Sequence, residues 1–130
     1  MALQVELVSP ERILYSGEAE MVVCRTVGSG EIAFLTGHAP FLGALEISRV
    51  KVKGTDGRET LAAVHGGFVH VRDNSVIILS DVAELSDQID VDRARRAKEA
   101  AEQRHRQQED VENEAALRRA HVRLEVAARP

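Results

Sequence analysis

Apolar and polar residues alternate one for one through the first two thirds of the chain, and recur every three or four residues in the last third. Leu3, Val5 and Leu7 alternate with Gln4 and Glu6, the period-two pattern of a strand with one buried face. Ala19, Met21 and Val23 interleave with Glu20, Val22 and Cys24, which predicts a strand that is apolar on almost both sides. Val50 and Val52 alternate with Arg49, Lys51 and Lys53, giving one wet face. Val76, Ile77, Ile78 and Leu79, between Ser75 and Ser80, form the run expected of a strand covered on both faces. Turn signals at Ser16-Gly17, Gly28-Ser29-Gly30, Asp56-Gly57, Gly66-Gly67 and Asp73-Asn74 separate these segments. Asp56-Gly57 and Asp73-Asn74 each join two alternating runs and predict hairpins. Short strands at this spacing predict an antiparallel sandwich or barrel of roughly eight to ten strands. No strand–helix–strand alternation supports a parallel sheet.

The pattern changes after residue 85. From Asp92 to Gln108 there is no Gly, Pro or β-branched residue, which predicts a helix. Asp90 is its candidate cap, and Asp92 sits in the positive first turn. Ala94, Ala97 and Ala101 mark a narrow apolar face. A second stretch, Glu114 to Ala128, carries Leu117, His121, Leu124 and Ala128 at helical spacing. Between the two, Asp110 or Asn113 can cap a second helix, so a hairpin is expected, with one long helix as the alternative. An alanine face buries little area, below about 1 kcal/mol per residue. The hairpin is therefore expected to dock weakly on the strand-built part.

Composition sharpens this division. All nine glycines lie between Gly17 and Gly67. Residues 86–130 hold 20 charged side chains in 45 positions, against 18 in residues 1–85. A boundary near Ser86 therefore separates a β domain, 1–85, from a helical domain, 86–130, an α+β organisation. The chain of 130 residues is 44% hydrophobic but only 3% aromatic, so its core must be built from Val, Ile, Leu and Ala. No apolar run approaches the roughly 20 residues of a membrane-spanning helix, and the N-terminus has no signal-peptide pattern. A net charge of -4 provides no general basic field for nucleic acid. A single cysteine, Cys24, excludes an internal disulfide and suits a reducing compartment.

Candidate chemistry is sparse. His38, His65, His70, His105 and His121 show no local H-x-H or H-x-x-x-H pair, so no metal site is expected. Cys24, set mid-strand among Met21, Val22 and Val23, reads as a buried inert thiol. Gly28-Ser29-Gly30 lacks the lysine and following helix of a phosphate loop. Catalysis by this chain is not expected. Asp90 and Arg93 share one helix face, with Arg104 three turns further on. Arginines converging from two helices can hold a phosphate, while a carboxylate near the cap accepts an adenine or ribose donor. A solvated salt-bridge face is the plainer alternative.

The stretch Gly30-Glu31-Ile32-Ala33-Phe34-Leu35-Thr36-Gly37-His38-Ala39-Pro40 resembles the signature of the epsilon subunits of F-type ATP synthases. Ser16-Gly17, Gly66-Gly67-Phe68 and Ile89-Asp90 followed by Arg93-Ala94 support the resemblance in order and spacing over essentially the whole chain. It implies a ten-stranded β-sandwich followed by two helices, in a non-catalytic part of the rotor. The sandwich would bind the gamma subunit and sit on the polar loops of the membrane ring of c subunits, at the cytoplasmic side of a bacterial cell membrane. The matching ring- or gamma-facing positions are Glu31 and His38. The helices of the family move between a folded-down hairpin and an extended form that reaches the alpha and beta catalytic subunits and blocks ATP hydrolysis. In ATP-binding members the nucleotide favours the folded-down form through a motif that Ile89, Asp90, Arg93 and Ala94 match. Arg104 and Arg123 align with basic positions of that site. Ala100 stands where nucleotide-binding relatives carry an arginine. One lost charged hydrogen bond, about 1.5–3 kcal/mol, is more than tenfold in affinity, so ATP is expected to be a weak regulatory ligand or none. No cofactor is required. A free-standing ATP sensor using Asp90, Arg93, Arg104 and Arg123 is the rival reading. A coiled-coil adaptor is a third, disfavoured by alanine at most seam positions.

Overall fold

The structure, a computed structural model, describes residues 2–128. Its strands are β1 (Leu3–Val8), β2 (Ile13–Thr26), β3 (Gly30–Leu35), β4 (Phe41–Ala44), β5 (Ile47–Gly54), β6 (Glu59–His65), β7 (Phe68–Arg72), β8 (Ser75–Leu79) and β9 (Ala83–Leu85). The helices α1 (Val91–Gln107) and α2 (Val111–Ala127) follow. The α+β order of strands and then a helical hairpin matches the sequence expectation, with nine strands among the described residues.

The long β2 organises the sheet. Its first half pairs with β1, Leu3 opposite Ala19, and its second half pairs with β3, Val22 opposite Phe34. The hydrogen-bonded order is β4-β7-β8-β1-β2-β5-β6-β9, with β3 beside β2. Inward residues from both ends of this order share one core: Val69, Val71, Val76 and Ile78 meet Val22, Val50, Val52 and Val64. The sheet thus folds over itself into two layers whose filling is mostly valine, as the shortage of aromatics requires. Phe34 is the largest fully buried side chain.

Three strand expectations are corrected. Ser16-Gly17 is no turn: both residues lie inside β2, paired to Glu6 and Val5, and the strand runs through. The sheet is not wholly antiparallel, because β1 and β8 pair in parallel from Gln4–Ser75 to Val8–Leu79. Almost the whole β domain separates those two strands in sequence, so no tight turn forces them to run oppositely. The Val76–Leu79 run is covered on one face only: Val76 and Ile78 are buried, whereas Leu79 is exposed, since no helix crosses this part of the sheet.

Both predicted hairpins form. Asp73 and Asn74, with φ of 50° and 60°, make the two-residue turn between β7 and β8, a left-handed conformation that Asp and Asn tolerate. Asp110 caps α2 by accepting from the Asn113 N–H at 2.8 Å, and Asn113 Nδ2 donates to the Gln108 carbonyl at 2.8 Å. These bonds close the connection and settle the helical part as a hairpin. Asp90 caps α1 as expected, accepting from the Arg93 N–H at 3.1 Å.

The helix faces differ from the expected stripes. Ala94 and Ala101 are buried but Ala97 is exposed, and the half-buried Lys98 and His105 complete the inner stripe at helical spacing. On α2, His121 and Ala128 are exposed, while Ala120, Val122 and Val126 are buried. The reason is geometric: α2 faces both α1 and the sheet, and a single-stripe pattern describes a helix with one neighbour.

Gly67, at φ +118°, lies where a Cβ would sit 2.0 Å from the Leu79 carbonyl oxygen. Gly67→Ala should therefore cost about 3 kcal/mol, because both the backbone conformation and the close strand approach resist it. Urea unfolding measures this, and a loss below about 1 kcal/mol would contradict the packing described.

Candidate functional site

The helical hairpin meets the sheet on the outer face of β5 and β6. Along β6, Ala62 and Val64 point into the sandwich core, while Leu61, Ala63 and His65 alternate onto the opposite face. Ile47, Arg49 and Lys51 of β5 lie opposite His65, Ala63 and Leu61 on that same outer face. Val122 and Val126 of α2 pack there on Leu61, Ala63 and Ile89, flanked by Ile47 and Ala127. The wet face expected of β5 is thus partly covered. Arg49 Nε reaches Glu125 of α2 at 3.8 Å, and Lys51 Nζ lies 3.5 Å from Glu59. The seam holds no aromatic residue.

Ile89 belongs to this seam, Ala94 is buried on α1, and Asp90 and the exposed Arg93 stand at the start of α1. Arg123 is committed elsewhere than to a ligand: its Nε donates to Glu84 of β9 at 2.5 Å. Arg104 is not brought to this group. It lies eleven residues beyond Arg93, about 16 Å along the helix, where its carbonyl accepts from the Gln108 N–H. The expected convergence of Asp90, Arg93, Arg104 and Arg123 therefore does not form here, because the hairpin lays Arg104 beside its own connection. Ala100 is half-buried on α1.

Glu31 stands near the start of β3, and His38 lies three residues past its end, where a turn brings the His38 N–H back to the Leu35 carbonyl at 3.0 Å. Glu31 pairs loosely with Arg25 at 4.0 Å. It lies at the lip of a cleft of about 530 Å³ that separates β2, β3 and β5 from the helices, with Lys98 and Arg118 on the far wall. His38 packs edge-on against Phe34, with ring centroids 4.8 Å apart, and its Nδ1 lies 2.7 Å from the Ala39 carbonyl, which requires the proton on Nδ1. The adjoining Gly37 N–H donates to Asn74 Oδ1 at 2.7 Å and ties this loop to the β7–β8 turn.

Two features escape the sequence reading. The first is the outer face of β4, β7 and β8, where Leu42 (71% exposed), Phe68 (57%) and Leu79 (51%) stand in solvent. Phe68 lies between Ala44 and Leu79 across the strands, with Leu42 beside the exposed His70 in the next row, so three large apolar side chains stand on one outer face. The alternation of Phe68, His70 and Arg72 against buried Val69 and Val71 was its available signal. The second is the approach of the buried His65 to Glu84, with Nε2 4.0 Å from Oε1, a meeting of strands that no local pattern announces. Among the described residues, no group of three or more His, Cys, Asp or Glu side chains gathers as metal ligands would, and no helix is long and apolar enough to cross a membrane.

A family model described as ATP synthase, Delta/Epsilon chain, beta-sandwich domain matches residues 2–86, and one described as the long alpha-helix domain of the same chains matches residues 87–128. The ATP synthase epsilon chain of Streptomyces coelicolor is 48% identical over 127 residues, covering 97% of this chain and 95% of the relative. That of Bacillus pumilus is 45% identical over 130 residues, covering 98% of each. A chain in the cryo-EM structure of Euglena gracilis mitochondrial ATP synthase, OSCP/F1/c-ring in rotational state 1, superposes with a TM-score of 0.82. It is 25% identical, with 98% of this chain and 82% of that chain covered. A central-stalk/c-ring chain of the Tetrahymena thermophila mitochondrial enzyme shares the fold at a TM-score of 0.53 and 18% identity, over 68% of this chain and 69% of that one.

Cys24 lines the cleft yet is itself buried, and burial pushes its thiol up to about 12. Iodoacetamide at pH 8 should leave the native protein unlabelled and modify it fully in denaturant, as mass spectrometry reads directly. Labelling of the native state at the rate of a free thiol would show the strand to be open.

Proposed function

The chain belongs to the delta/epsilon family of ATP synthase chains, and on that premise we propose that it serves as a non-catalytic rotor part that couples proton-driven rotation to ATP synthesis. The observation that carries the reading is the match of both parts of the chain, strand-built and helical, to that family along nearly their full length. In this reading residues 1–85 form the domain that grips the gamma subunit and rests on the c-ring loops. Residues 86–130 form a hairpin that regulates ATP hydrolysis by extending toward the alpha and beta subunits. The site of action is the cytoplasmic side of a bacterial cell membrane, reached through partners rather than by insertion.

Physical features support each half. The open Leu42–Phe68–Leu79 face offers gamma an apolar surface that a free monomer has no reason to expose. Glu31 at one end of β3 suits the polar loops of the ring, and the loop bearing His38 at the other end suits gamma. The seam under α2 is small and aliphatic, so another surface can offer the hairpin comparable contacts. ATP, if it regulates, would bind weakly at Ile89, Asp90, Arg93 and Ala94. Arg123 must first leave Glu84, Ala100 supplies no charge, and Arg104 is three turns away. The same occupancy of Arg123 weighs against a free-standing ATP sensor.

Phe68→Lys should abolish co-purification with gamma while changing unfolding stability by less than about 1 kcal/mol, since the side chain is largely exposed. Removal of residues 87–130 should leave gamma binding intact and alter ATPase activity; loss of gamma binding on that truncation would overturn the division of labour. Calorimetry with ATP should find weak binding at best, strengthened roughly tenfold by Ala100→Arg. Tight binding by the native chain, abolished by Arg93→Ala, would favour the sensor instead.

A further inference from the structure

His65 is a titratable group that the rotor reading leaves without a task. It is the last outward position of β6, in line with Leu61 and Ala63 beneath α2. Its side chain is only 4% exposed, and neither ring nitrogen has a hydrogen-bond partner. Nε2 lies 4.0 Å from Glu84 Oε1, the same oxygen that accepts from Arg123 Nε. We propose that His65, Glu84 and Arg123 form a proton-sensitive latch, which holds the helical hairpin on the sheet at neutral pH and loosens it on mild acidification.

The charges around the imidazole come from two elements. Glu84 approaches from β9, and Arg123 and Arg119 approach from α2, Arg119 being itself paired with Glu112 at 2.9 Å. The β5 position facing His65 is the uncharged Ile47. A proton arriving on His65 would have to compete with the Arg123 guanidinium for one carboxylate oxygen, beside two arginines and almost without water. Burial above all, then Arg123, holds the docked imidazole down to about 4, and Glu84 offsets this only in part. Lifting α2 removes both the cover and the arginines, and returns the ring to its ordinary value of about 6.5.

The sign follows from linkage. The docked state has the lower pKa, so docking is at full strength above about pH 6.5 and is lost progressively as pH falls from there toward 4. Between pH 7.5 and 5.5 this amounts to about a tenfold fall in the docking equilibrium. Within the rotor reading, acidification would thereby favour release of the hairpin. The latch itself is a property of the isolated chain.

Amide hydrogen exchange at Val122 and Val126 in the full-length chain reads the opening of the hairpin, with Val5 and Val22 as references inside the sandwich. After correction for intrinsic exchange, opening at Val122 and Val126 should rise about tenfold between pH 7.5 and 5.5 relative to the references. In His65→Gln that rise should vanish. The same pH dependence in His65→Gln, or none in the native chain, would overturn the latch. As a second measurement, the His65 imidazole titrated by NMR in the native protein should show a midpoint clearly below 6.5; a midpoint at or above 6.5 would also overturn it. Neither measurement requires gamma or the c-ring, so failure here leaves the rotor reading standing, and failure to bind gamma leaves the latch standing.

Discussion

The β5–β6 pair is the part of the sheet that buries both of its faces, and the remaining architecture is arranged around that constraint. Val50, Val52, Ala62 and Val64 fill the sandwich, while Ile47, Leu61 and Ala63 need cover from outside. Val122 and Val126 of α2 supply it, together with Ile89 ahead of α1. The helices therefore have one preferred seat, and α1 is held mainly through α2. Alternation along two strands thus fixes where a mostly polar hairpin rests.

That seat is held by unlike forces. The aliphatic seam is short, non-directional and tolerant of sliding. The Arg123–Glu84 bond and the longer Arg49–Glu125 contact are directional and define the register of α2 on the sheet. Ion pairs that are partly exposed contribute modestly to stability, so their effect here is on position more than on strength. A buried neutral histidine beside such a pair makes position depend on protonation, because the cost of charging it is removed only when the helix departs.

The opposite end of the sheet has no such cover. β7 and β8 turn Val69, Val71, Val76 and Ile78 inward and leave Phe68 and Leu79 outward, with Leu42 of β4 beside them. The molecule therefore has one sheet face closed by its own helix and another left for something else.

The sequence by itself determined the elements. Alternation located β1, the Asp56-Gly57 and Asp73-Asn74 hairpins and the valine-rich inner faces, and uninterrupted helix formers with Asp90 as cap located α1, while the choice between Asp110 and Asn113 as the second cap, and between a hairpin and one long helix, was left to the structure. These are local effects, written within a few residues of where they act. The motifs Gly30–Pro40 and Ile89-Asp90…Arg93-Ala94 also carried the family. Only the tertiary structure decided that β1 lies parallel to β8, that Ser16-Gly17 continues a strand, and that Val76–Leu79 has one open side. It alone joined Arg123 to Glu84 above His65. Each of these depends on which distant segment comes to lie alongside, a choice made by burial of the whole sheet and not by the spacing of neighbours.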